Sequence, residues 1–139
     1  MNFLAILLCA IVAMVLGTIW HSKLLFGPTY MKAIGADMNM PPEKMREIQK
    51  KMWQIFLSQF ILVMFQVWVL SKFLYTTAFG ISAVTNSIWI WAGFVMPTIA
   101  GITLWSARPR KMAWQIFLIN SGYQFVLFIL FAIILKVWM

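Results

Sequence analysis

Few side chains in the long apolar runs of this chain can do chemistry, and among them are the amides Gln59, Gln66, Asn86, Asn120 and Gln124. Gln59 and Gln66 are seven residues apart and Asn120 and Gln124 four apart, so each pair shares one face of a helix. An amide in hydrocarbon needs a hydrogen-bond partner, so these faces should turn inward. The amides then either bind one another and tie helices together or line a polar cavity that binds or passes a small solute. The first outcome is favoured, because uncharged amides are common packing devices.

Other chemistry has less to work with. His21 is the single histidine. Histidine can relay protons near neutral pH, but a lone one at a helix end more often anchors or caps the helix. Cys9 is the single cysteine, which allows no internal disulfide and no CxxC redox or zinc site. The three acids, Asp37, Glu43 and Glu47, fall in one polar segment. Acid–base chemistry that needs two opposed carboxylates within the apolar runs therefore lacks its residues. Met31, Met38, Met40 and Met45 crowd the same region. Thioethers can hold Cu(I), but the irregular spacing and the absence of a neighbouring cysteine favour apolar filling. No metal or cofactor is expected.

The elements that position these residues follow from composition. Of 139 residues 63% are hydrophobic and 10% charged, with a mean hydropathy of +0.89. Soluble domains average about 25% charged residues, so lipid is the expected solvent for most of this surface. The net charge of +8 then points to lipid headgroups rather than nucleic acid. Residues 2–22 carry no charge and suit a first spanning helix, closed by Gly17, Thr18, Trp20, His21 and Ser22 at the interface. They lack a basic start and a small-residue cleavage site, so they are expected to remain in the mature protein.

A connector over 23–40 follows, with Phe26-Gly27-Pro28 as a turn. Pro41-Pro42 and Glu43 suit the start of helix two, expected over 41–74. Met45, Ile48, Met52 and Ile55 form one stripe of that helix, which begins in water and continues into the membrane. Tyr75-Thr76-Thr77 and Gly80 supply a turn, helix three is expected over 82–105, and helix four over 111–137.

With four spans, the two connectors on one side hold Lys23, Lys32, Lys44, Arg46, Lys50, Lys51, Arg108, Arg110 and Lys111, whereas the other side holds Lys72 and Lys136. This asymmetry places both termini away from the cytoplasm. Lys44, Arg46, Lys50 and Lys51, with Arg108, Arg110 and Lys111, are candidate contacts for anionic lipid. Gly93, Pro97 and Gly101 are four apart on helix three, where proline should bend the helix and the small face should let another helix come close.

Trp53-Gln54-Ile55-Phe56-Leu57 recurs as Trp114-Gln115-Ile116-Phe117-Leu118. The repeat begins helices two and four at one depth and pairs Gln59 with Asn120. Two helical hairpins running in the same direction would form a parallel repeat.

Gly17-x-x-Trp20-His21-Ser22, then Phe26-Gly27 and Tyr30, resembles the opening of a group of small bacterial four-helix membrane proteins known as a domain of unknown function. Gly93 with Pro97-Thr98, and Asn120-Ser121-Gly122-Tyr123, are similar to that group's later motifs. The resemblance covers nearly the whole chain, implies the four-span topology and brings no activity.

The expected fold is an all-α integral membrane four-helix bundle of two parallel-repeat hairpins, with helix two extended into the cytoplasm. The expected role is non-enzymatic, acting by association as a homo-oligomer or small subunit of a membrane complex. The alternative is a small solute transporter or channel lined by the five amides.

Overall fold

The computed structural model describes residues 2–35, 39, 41–76 and 82–138. Met38 and Met40 of the methionine group, Asp37, and Thr77 and Gly80 of the second turn lie outside the described residues. Among the described residues the chain is all helix and turn. Helix α1 is Phe3–Trp20, α2 is Gly27–Ala33, α3 is Pro42–Thr76, α4 is Ala83–Ile90, α5 is Met96–Leu104 and α6 is Arg110–Trp138. Four stretches are long and apolar enough to cross a membrane: Phe3–Trp20, Pro42–Tyr75, Ala83–Leu104 and Arg110–Trp138.

Local chemistry sets the ends. The Asn2 side chain caps α1 by accepting from the Leu4 N–H at 3.1 Å. Ser82 caps α4 through the Thr85 N–H at 3.1 Å. The connector carries a helix where Phe26-Gly27-Pro28 suggested a turn. Pro28 stands in the first turn of α2, where a missing N–H costs nothing and the fixed φ is helical already.

α4 and α5 are joined through a wider π turn at Trp91–Val95. The Met96 N–H reaches back five residues to the Trp91 carbonyl. Pro97 then falls in the first turn of α5. The interruption thus sits one turn ahead of the proline that the sequence pointed to.

The core forms where α1 meets α3 and α6. α1 contributes small residues, Ala5, Cys9, Ala10 and Ala13, against Val63, Val67, Leu70 and Leu74 of α3 and Leu127, Phe128 and Phe131 of α6. Ala5, Cys9, Ala13 and Gly17 recur every four residues, which lets backbones approach closely. α4 and α5 lie along α6, with Ser87 and Thr103 buried.

The two copies of the repeated pentapeptide end in unlike surroundings. Ile116 and Phe117 are 3% and 9% exposed, whereas Ile55 and Phe56 are 61% and 48% exposed. The reason is the long first connector. Its helix α2 folds back onto α6, and α5 also packs there, whereas residues 53–59 of α3 are exposed throughout. Any symmetry between the hairpins is therefore not one of environment at this depth.

Candidate functional site

The residues that close α1 meet the middle of α6 in one aromatic node. Gly17 has no side chain, and this opens the path for Tyr123. A Cβ at Gly17 would lie 2.8 Å from the Tyr123 hydroxyl oxygen. That hydroxyl donates to the Ala13 carbonyl at 2.7 Å. On the other side, Trp20 Nε1–H donates to the Ile119 carbonyl at 3.0 Å. Gly122 makes room for this indole, since a Cβ there would stand 3.4 Å from Trp20 Cζ2. Trp91 Nε1–H, from the π turn, donates to the Ser121 carbonyl at 3.1 Å. Two indole donors from other segments therefore grip α6, while α6 itself sends the Tyr123 hydroxyl to α1. Each uses a carbonyl's second lone pair, which a helix otherwise leaves empty.

His21 completes the node. Its Nδ1 lies 3.0 Å from the Gly17 carbonyl. A carbonyl has no proton to give, so Nδ1 carries the hydrogen and Nε2 is the nitrogen able to accept one. The ring stands edge-on to Tyr30 at 4.9 Å and to Tyr123 at 5.7 Å. Trp20 stacks obliquely on Phe26, centroids 4.9 Å apart. Ser22 turns back on its own helix, its hydroxyl donating to the Ile19 carbonyl at 2.6 Å. Gly27 closes the link. A Cβ there would fall 2.5 Å from the Ser22 carbonyl oxygen and 2.6 Å from that of His21, so a side chain would strike backbone. Gly17, Trp20, His21 and Ser22 thus share one structural knot with the Ser121-Gly122-Tyr123 stretch.

The five amides do not converge. Gln66 Nε2 lies 3.4 Å from Gln124 Oε1, a long contact that ties α3 to α6. Gln59 is exposed and Asn120 half-buried. Asn86 is buried, and neither its Nδ2 nor the neighbouring Ser87 Oγ finds a hydrogen-bond partner among the described residues. A cavity of about 320 Å³ opens at the other end of the bundle, lined by residues of α1, α3 and α6. None of the five amides is among its lining residues.

Gly93, Pro97 and Gly101 are exposed. No atom of another element lies within 4 Å of a Cβ built on Gly93 or Gly101. The close packing expected at this face is not made within the chain. The face that does pack through small residues is on α1. Lys44, Arg46, Lys50 and Lys51 are exposed along the start of α3, and Arg108, Arg110 and Lys111 are exposed at the start of α6. Met31 and Met45 are exposed. Among the described residues no three of His, Cys, Asp or Glu come together.

Trp91 was not singled out from the sequence, and Tyr123 entered only as the end of the Asn120-Ser121-Gly122-Tyr123 motif, with no role attached. The available cue was Gly122, an isolated glycine inside a long helical apolar run, which often marks a close approach. Ser87 and the cavity left no such mark.

Fold and node together define an all-α protein whose long apolar helices are locked through ring-to-backbone hydrogen bonds. The chain belongs to the family described as protein of unknown function (DUF1761), whose model matches residues 4–136. No curated protein and no solved structure matches the chain.

Proposed function

We propose that this chain is a non-enzymatic, multi-pass protein of the bacterial cell membrane that works by association, as a homo-oligomer or as a small subunit of a membrane complex. The distribution of Lys and Arg supports an orientation with both termini facing away from the cytoplasm. The basic start of α3 projects into the cytoplasm and meets anionic headgroups.

One observation carries the reading. The five residues from Trp53 to Leu57 match a stretch of α6 that is partly covered, yet they are bare on α3, Trp53 at 61%. Trp and Phe anchors of this kind dominate binding energy where a partner covers them. The node supports a structural role, since its Trp20, Trp91 and Tyr123 donors are all engaged by backbone.

The test is the mass of the purified full chain in mild detergent. The wild type should run as a fixed multiple of 16.1 kDa or with a stoichiometric partner. The double variant Trp53→Ala/Phe56→Ala should run as a monomer, and Trp114→Ala, in the matching copy, should keep the assembly. A wild type that is monomeric and alone sinks the reading.

The transporter alternative has less support, because Gln66 and Gln124 face each other and the cavity lacks the amides. It would replace association if liposomes holding the pure protein took up solute and Gln59→Leu and Asn120→Leu abolished the uptake with the fold intact.

A further inference from the structure

α3 is 35 residues long, and along its first half one face is left uncovered among the described residues. Met45, Ile48, Ile55 and Leu62 are 51%, 48%, 61% and 61% exposed. Exposed Gln59 and half-buried Met52 complete the same line. Steps along it alternate between three and four, with Met45, Met52 and Gln59 in the first place of a heptad and Ile48, Ile55 and Leu62 in the fourth. That is the period at which two helices wind around each other and keep one seam in contact.

Gln59 shows what the seam requires of its cover. It stands in the charge-free run between Lys51 and Lys72, and its amide makes no hydrogen bond among the described residues. Gln66, one heptad further on, does find a partner, Gln124 of the same chain. The seam thus turns into the chain's own bundle beyond Leu62 and faces outward before it. An amide against lipid tails holds two donors and an acceptor that hydrocarbon cannot serve. A covering helix must bring both kinds of group to that depth. A second copy inserted in the same direction does so by symmetry, since across a twofold axis each Gln59 carbonyl accepts from the other amide's NH2. One polar residue in the first place of a heptad also fixes the register of the pair.

The charges allow the same pairing. In a parallel pair the seventh place of one heptad faces the fifth place of the next on the other helix. Lys44 then faces Gln49, and Lys51 faces Phe56. No two like charges are opposed, and an ammonium beside an aromatic ring is favourable.

We infer that a second copy of this chain covers this face. The two α3 helices pair in parallel and in register from Met45, in water, to Leu62, in the membrane, and the two Gln59 amides bond each other across the seam. This rests on the association reading and narrows it: the partner is the same chain, and the contact is one face of one helix.

Disulfide cross-linking in native membranes tests it, using the full chain with Cys9→Ala to remove the buried native thiol. Ile48→Cys, Ile55→Cys and Leu62→Cys, each introduced alone, should give covalent dimers. Leu57→Cys and Ile61→Cys, at positions 50% and 57% exposed but off the seam, should not. In mild detergent Gln59→Leu, with helicity unchanged, should weaken the dimer about threefold to thirtyfold, the range for one hydrogen bond between membrane helices. Three results would overturn the inference while leaving association standing: cross-links at 57 and 61 as strong as at 55 and 62, a Gln59→Leu dimer as tight as the wild type, or a stoichiometric different protein in place of the second copy. A wild type that is monomeric and alone removes association itself, and this seam with it.

Discussion

Tyr123 crosses the space that Gly17 leaves open, and its hydroxyl finishes on the Ala13 carbonyl. Removing the hydroxyl in Tyr123→Phe should lower the unfolding free energy by about 1 kcal/mol, since the carbonyl keeps its helical partner. Gly17→Leu should cost more, about 1–3 kcal/mol, because the ring must leave as well. Both are read by denaturing the micelle-bound protein with SDS and following helicity. At this scale the sequence was half legible. Trp20, His21 and Ser22 were recognisable as helix-end groups from their types alone. Their partners were not, because Trp20 bonds a residue 99 positions away and Tyr123 one 110 positions away. No local pattern encodes a contact of that separation. The paired amides show the same limit, since among the described residues Gln66 meets Gln124, whereas periodicity had offered Gln59 and Asn120 equally.

Helices are where hydropathy speaks most clearly. The apolar runs that became α1, α3, α4–α5 and α6 are visible in the sequence because a spanning helix needs about twenty such residues. Packing faces were less visible. Small residues four apart occur twice, as Ala5, Cys9, Ala13 and Gly17 on α1 and as Gly93, Pro97 and Gly101 on the third span. Only the α1 set is packed within the chain. Spacing shows that a face can pack, and the partner's shape decides whether it does. The short helix α2 was hidden because seven residues carry too little periodicity to stand out from a turn. The π turn carries its own prediction. It sets Pro97 in the first turn of α5, where proline is tolerated. Pro97→Ala should therefore change stability by less than about 1 kcal/mol, far from the roughly 3 kcal/mol of proline inside a helix. The SDS titration used for Tyr123 measures this too.

As a whole the molecule is tight at one end and open at the other. Phe131, Leu127, Val67 and Val63 are sealed in the core, and Phe131→Ala should cost about 3 kcal/mol in the same titration, near the low end for such a deletion. α3, with 35 residues, extends about 52 Å at 1.5 Å per residue, well beyond the ~30 Å of hydrocarbon. The gathering of positive charge on two connectors was readable from position alone, whereas the fold-back of α2 onto α6 was not, being decided by surfaces the two acquire only once folded. The bonds from α1 to α6 also order events in time. At about 5–20 residues per second, the 99 positions between Trp20 and Ile119 mean that the first segment emerges roughly 5–20 s before its last partner. For that interval the newborn chain has an indole and a bare glycine groove with nothing to grip.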